Sequence, residues 1–208
     1  MVRSHFQFLF SLCSNKRQLR ITKAKKEDKK LILICSEILA IYSALLNLDI
    51  KVGEITFAYT EKGKPYIDTK YNYHFNISHS KNLVLCGASR SPLGVDVEYI
   101  KARDIDLFKN IFSKKEWYYI MNAKDQIKAF YTIWTKKESF LKFRGDGLIN
   151  NLNEICVIDL DFEYQFFIGE INNYIYSHCE EGIEGRDQES KIEKVELLKV
   201  IEYIKMRL

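Results

Sequence analysis

Three short stretches of this 208-residue chain gather side chains of the kind that handle phosphate and a divalent cation. Gly94-Val95-Asp96-Val97-Glu98 reads as a strand, in which side chains alternate between faces. Val95 and Val97 then turn to the core, and Asp96 and Glu98 turn together to the other face. Two carboxylates so placed can ligate one hard cation, and Mg²⁺ favours oxygen ligands shared with phosphates and water. A solvent-facing strand edge reads the same, so the pair alone does not decide. From Phe130 to Lys142, helical geometry stacks Phe130, Trp134, Glu138 and Lys142 on one stripe. The stripe begins aromatic and ends charged, as on a helix that leaves the core and enters a cleft. Glu138 is then a candidate third metal ligand, and Lys142 a partner for a phosphate oxygen. An exposed Glu–Lys pair is the plainer alternative. Phe75-Asn76-Ile77-Ser78-His79-Ser80 ends a short strand on which Ser78 and His79 face opposite ways. That geometry disfavours a Ser–His relay and favours His79 as a hydrogen-bond partner of phosphate, against the alternative of a packed or solvent-facing histidine.

The elements that must position these groups follow from period and punctuation. Residues 5–13 read as a strand and residues 15–47 as one or two helices, with Leu31, Ile34, Cys35, Ile38, Ile41, Tyr42 and Leu45 at helical spacing. Residues 53–60 look extended, and Glu61 to Pro65 form a turn. Strands are expected near 74–77, 83–89 and 93–99, with Ser89 to Pro92 as a turn or junction between two lobes. Ser113 with Glu116 spells a capping box, Asp125 opens a helix to about Phe143, and Gly145 sits where a C-cap belongs. The Gly145-Asp146-Gly147 run follows a helix, so it reads as a cap and turn, not a phosphate cradle. Residues 155–179 read as two or three strands, 180–191 as a mobile loop, and 192–206 as either helix or strand. Helix followed by strands in each half gives an α+β fold of two lobes, 1–92 and 93–208.

Hydrophobic content of 47% and charge of 29% describe a globular chain, not a disordered one. No unbroken apolar run reaches the roughly 20 residues of a membrane span. The apolar start is short and interrupted by Gln7, which argues against a signal peptide. Five scattered cysteines without a CxxC suggest buried thiols in a reducing compartment, hence a cytoplasmic protein. The net charge is +4, but residues 16–30 concentrate eight lysines and arginines against Glu27 and Asp28. Such a run can draw an anionic ligand, a nucleic acid or an acidic protein, or simply be a solvated helix face. No zinc spacing, GxGxxG, Walker or RNP-like spelling occurs.

Read in order, the motifs resemble those of the 4′-phosphopantetheinyl transferases, in the larger two-lobed type that activates peptide and polyketide synthetases. Gly63-Lys64-Pro65 is similar to the family's GKP element, Phe75 to Ser80 to FNxSHS, and Gly94 to Glu98 to G(V/I)D(V/I)E. Phe112 to Glu116 matches FSxxE, and Trp134 to Lys142 matches WxxKESxxK. The resemblance implies two similar α+β lobes forming a pseudo-dimer with the site in the cleft between them. It implies Mg²⁺ on Asp96, Glu98 and Glu138 beside the pyrophosphate of coenzyme A, the co-substrate. It implies that Lys142 and His79 touch those phosphates, that Lys64 and Ser78 line the nucleotide site, and that Arg17 and Arg20 bind phosphate. Where the family often has an arginine after Lys-Glu-Asp, this chain has Lys29 and Lys30, either of which would hold the 3′-phosphate as a point charge. Glu138 is the candidate general base, and Glu138, Lys142 and His79 the candidate catalytic set. The expected partners are coenzyme A and an acyl, peptidyl or polyketide carrier protein, with no nucleic acid or membrane; residues 99–124, including Phe108, Ile111, Phe112 and Met121, are either its docking segment or ordinary helix-core residues. A monomer is expected. Two alternatives stand beside this reading: another Mg²⁺-dependent phosphodiesterase or nucleotidyl transferase, and a non-catalytic protein that binds coenzyme A or nucleic acid.

Overall fold

The structure is a computed structural model that describes residues 5–147, 151–182 and 191–208. The described residues form an α+β fold. Three helices open the chain, α1 (Phe6–Leu12), α2 (Asn15–Lys23) and α3 (Glu27–Asn47). A hairpin of β1 (Thr56–Tyr59) and β2 (Pro65–Asp68) follows, then a second of β3 (His74–Ser80) and β4 (Leu83–Ser89). β5 (Leu93–Tyr99) starts the second half. It is followed by α4 (Lys114–Met121), α5 (Gln126–Arg144), the hairpin β6 (Tyr164–Ile171) and β7 (Tyr174–Glu181), and α6 (Leu197–Met206). β5, β7 and β6 form one antiparallel sheet in that order.

Local chemistry explains most boundaries. Ser14 caps α2 by accepting the N–H of Arg17, and Asp125 caps α5 by accepting that of Lys128. Gly145 ends α5 at φ 71°, a left-handed conformation that suits glycine. α4 opens on the reciprocal Ser113–Glu116 box. Glu116 then does more than cap. Both its carboxylate oxygens accept from Lys137 Nζ on α5, at 2.8 and 2.6 Å, and Oε1 also accepts the N–H of Val157 at 2.9 Å. Lys137 donates to the Ile155 carbonyl as well. The pair is 0% and 1% exposed, so one fully satisfied ion pair fastens α4, α5 and the 155–157 segment.

Three apolar clusters make the core. Leu9, Ile21, Ile34, Ile38 and Ile41 meet Ile201 and Ile204 of α6. Phe112, Ile120, Phe130, Phe140, Val157 and Ile175 fill the second half. Ala40 and Ala44 of α3 carry Ile67 and Phe75 of the hairpins and Tyr73 from the segment between them. α6 therefore returns to the first half of the chain. Tyr203 donates to the Leu45 carbonyl, and Val52 donates to that of Arg207.

Several expectations change. Within residues 5–13, Phe6–Leu12 form a helix, not a strand. Its apolar positions alternate, but they also repeat at i, i+4, and burying Leu9 and Cys13 against α3 satisfies the backbone without a sheet neighbour. Residues 155–163 are turns, with a 3₁₀ segment at Asp159–Phe162, so two strands follow. Within 53–60 only Thr56–Tyr59 is a strand. The 192–206 ambiguity resolves as helix, and most of the 180–191 loop lies outside the described residues. α3 has the length and apolar composition of a membrane span, but half of that window is buried in the fold. Of the expected docking residues, Phe108, Ile111 and Phe112 pack in the core, while Leu107, Tyr118, Tyr119 and Met121 are exposed. The cysteines are free thiols; Cys13 and Cys179 are buried, and burial pushes both up to about 12.

Lys137→Ala strands the Glu116 carboxylate in the core. Urea unfolding should show a loss of about 3–5 kcal/mol, and pairing Glu116→Gln with Lys137→Met should recover part of it.

Candidate active site

The carboxylates sit where α5 lies directly on β5. A Cβ at Gly94 would overlap the α5 backbone at Ser139 and Phe143, so only glycine permits this approach. With that contact made, Lys142 Nζ reaches Asp96 Oδ1 at 2.6 Å. The same ammonium donates to Ser78 Oγ at 2.9 Å. The α5 stripe behaves as expected along its length: Phe130 is fully buried, while Trp134, Glu138 and Lys142 are half-buried.

β3 runs beside β5 although the two strands belong to different sheets. β5 is an end strand, and alternate residues turn their N–H groups away from β7. Three of these are taken by β3 side chains. Val95 donates to Asn76 Oδ1 at 2.9 Å, Val97 to Ser78 Oγ at 3.3 Å, and Tyr99 to Ser80 Oγ at 3.1 Å. Donor and acceptor advance by two residues together, so the strands are parallel. The serines then face the acids: Ser78 donates to Asp96 Oδ1 at 2.7 Å and Ser80 to Glu98 Oε2 at 2.8 Å.

Electrostatics mark this spot. Burial raises the Glu98 carboxyl above its ordinary range, aided by Asp96 and opposed by Ser80, Trp134 and Lys142. Glu138 is raised by burial and by Asp96 and Glu98, with Lys142 opposing. Asp96 is 4% exposed, and its Oδ2 is buried without a hydrogen-bond partner. Among the described residues, no three acidic, His or Cys side chains yet enclose an ion; Lys142 draws Asp96 to itself. An orphaned carboxylate oxygen beside two acids that repel it is nevertheless the donor set a hard cation suits.

The basic groups divide. His79 is exposed, and its imidazole is lowered by partial burial and by Lys29, Lys142 and Arg17, so α2, α3 and α5 all direct positive charge at it. Lys30 instead pairs with Glu27 at 2.6 Å. Arg17 is buried, and its Nε donates to Glu37 at 2.8 Å; Arg20 is exposed on α2. Lys64, expected in a nucleotide site, has its ammonium on three carbonyls, of Leu93, Lys142 and Phe143. Three donors meet three acceptors there, and the side chain ties the β1–β2 turn to the end of α5. Sequence reading missed Asn76 and Ser80. Their period of two along β3 was the available signal.

Because the folded protein holds Glu138 above its unfolded pKa, the contribution of this group is present at low pH and is lost as pH rises through the folded value. Glu138→Gln removes the repulsion. In metal-free buffer its melting temperature should exceed that of the parent protein, by more at pH 8 than at pH 5.

Residues 92–188 match the family model described as the 4′-phosphopantetheinyl transferase superfamily, and residues 2–91 match that of the 4′-phosphopantetheinyl transferase N-terminal domain. A 4′-phosphopantetheinyl transferase of Aneurinibacillus migulanus is 32% identical over 160 residues, covering 74% of this chain and 65% of that protein. One from Bacillus subtilis strain 168 is 40% identical over 108 residues, covering 50% of this chain and 48% of its own length. The L-aminoadipate-semialdehyde dehydrogenase-phosphopantetheinyl transferase of Saccharomyces cerevisiae is 27% identical over 149 residues, with coverage of 66% and 55%. The chain thus spans 48% to 65% of the length of these relatives. With the two family models together running from residue 2 to residue 188, the chain belongs to the 4′-phosphopantetheinyl transferase superfamily, in its larger type with an N-terminal domain.

Proposed function

We propose that the chain transfers the 4′-phosphopantetheine arm of coenzyme A to a serine hydroxyl of a carrier protein, with Mg²⁺ in the carboxylate site. The observation that carries this reading is Asp96 Oδ2, buried and unpartnered on a carboxylate whose charge acts on both Glu98 and Glu138. The family relationship supports the substrate class, since all three relatives are named as phosphopantetheinyl transferases.

Asp96, Glu98 and Glu138 would hold the cation. When bound, Mg²⁺ supplies Lewis-acid polarisation of phosphoryl oxygens. Lys142, now on Asp96, would turn to the pyrophosphate of coenzyme A. His79, its imidazole lowered by burial and by the cations around it, would offer a hydrogen bond to the same phosphates, and Lys29 would meet the 3′-phosphate from the start of α3. The serine oxygen forms a bond to the phosphorus that carries the pantetheine arm. The anhydride P–O bond breaks, and adenosine 3′,5′-bisphosphate leaves with that electron pair. Glu138 is the group placed to accept the serine proton, directly or through a water. Most of the barrier is lowered by alignment and charge neutralisation.

The exposed apolar side chains Leu107, Tyr118 and Met121 would dock the helical carrier, and the basic groups of α2 and α3 would attract its acidic surface. Intact mass of an apo-carrier incubated with the protein, coenzyme A and Mg²⁺ tests the reading. A gain of one phosphopantetheine is expected, lost in Asp96→Ala and Glu138→Ala. No gain across fatty-acid, peptidyl and polyketide carriers would overturn it.

A further inference from the structure

The side-chain seam between β3 and β5 carries more than lobe packing. A serine hydroxyl has one proton and two lone pairs. Ser80 Oγ accepts the Tyr99 N–H, and a backbone N–H can only donate. Its proton is therefore free to go to Glu98 Oε2, 2.8 Å away. At Ser78 the constraint is complete. The Val97 N–H and the Lys142 ammonium fill both lone pairs, so the single proton must go to Asp96 Oδ1. Each hydroxyl thus has its polarity set by the β5 backbone and passes it to the acid on the preceding β5 residue. The third member of the seam, Asn76, accepts the Val95 N–H in the same way but stands opposite Gly94, where no carboxylate follows.

We infer that Ser80 is a positioning residue of the cation site: its hydroxyl, locked by the Tyr99 N–H, acts beside the Trp134 side chain to fix the orientation in which Glu98 is presented to the ion. This rests on the proposed carboxylate metal site, but not on the identity of the group transferred. Hydrogen-bond partners of ligating carboxylates and imidazoles tune metal affinity in just this manner. Ser80 is distinct in this from Asn76, which belongs to the same seam and serves lobe packing alone. That contrast separates a positioning role from a structural one.

The test is Mn²⁺ binding to the full chain, read by electron paramagnetic resonance with and without coenzyme A, alongside melting temperature and transfer to an apo-carrier. Ser80→Ala should weaken Mn²⁺ binding about tenfold or more. Ser80→Thr, which keeps the hydroxyl, should restore affinity to within about threefold, and Ser80→Cys, a weaker donor, should fall between. Asn76→Ala should lower the melting temperature while leaving Mn²⁺ affinity within about twofold, because it removes a buried bond but no acid contact. If Ser80→Ala does not fold, the Thr and Cys variants carry the comparison. Equal binding by Ser80→Ala and the parent protein, equal weakening by Asn76→Ala, or no Mn²⁺ binding by the parent protein would each overturn the inference. Ser80-dependent Mn²⁺ binding without transfer to any carrier would uphold it and overturn the transferase reading.

Discussion

Two parallel strands that share no backbone ladder set the terms for this molecule. β5 ends its sheet and leaves alternate N–H groups unpaired by β7, and buried N–H groups demand acceptors. β3 supplies them from Asn76, Ser78 and Ser80 rather than from its own carbonyls. The choice has a chemical consequence. Carbonyls would have closed a continuous sheet and nothing more, whereas hydroxyls satisfy the strand and still have a proton to give. Both serines give it to an acid of the neighbouring strand, so the contact that joins the halves also arranges the carboxylates.

A second layer holds α5 over those carboxylates. α5 is held on β5 by the absence of a side chain at Gly94, by Lys64 across its last carbonyls and by Lys137 in its buried bond to Glu116. Lys142 offsets part of the repulsion from within the cluster. The arrangement has the form expected of a functional site, where local destabilisation is maintained by a rigid surround.

Much of this was legible in the sequence, and the gaps have physical causes. The facing of Asp96 with Glu98 and the gradient along the α5 stripe needed only strand and helix periods, and the α4 and α5 caps are spelled in local residues. The fate of residues 5–13 was not local: Phe6, Phe8 and Phe10 fit either period, and the deciding partner, α3, begins many residues later. The return of α6 to the first helices was hidden for the same reason. Lys64 and Arg17 are basic residues in basic surroundings. Nothing nearby in sequence shows that one would cap a helix in the other half, or that the other would meet Glu37 inside α3.

The most direct test is a crystal structure of the protein with coenzyme A and Mn²⁺, read through the anomalous signal of the metal. One peak is expected against the unpartnered oxygen of Asp96 and the carboxylates of Glu98 and Glu138, with the pyrophosphate on Lys142 and the Ser80–Glu98 bond intact. A peak elsewhere, or coenzyme A bound away from Lys142 and His79, would contradict it.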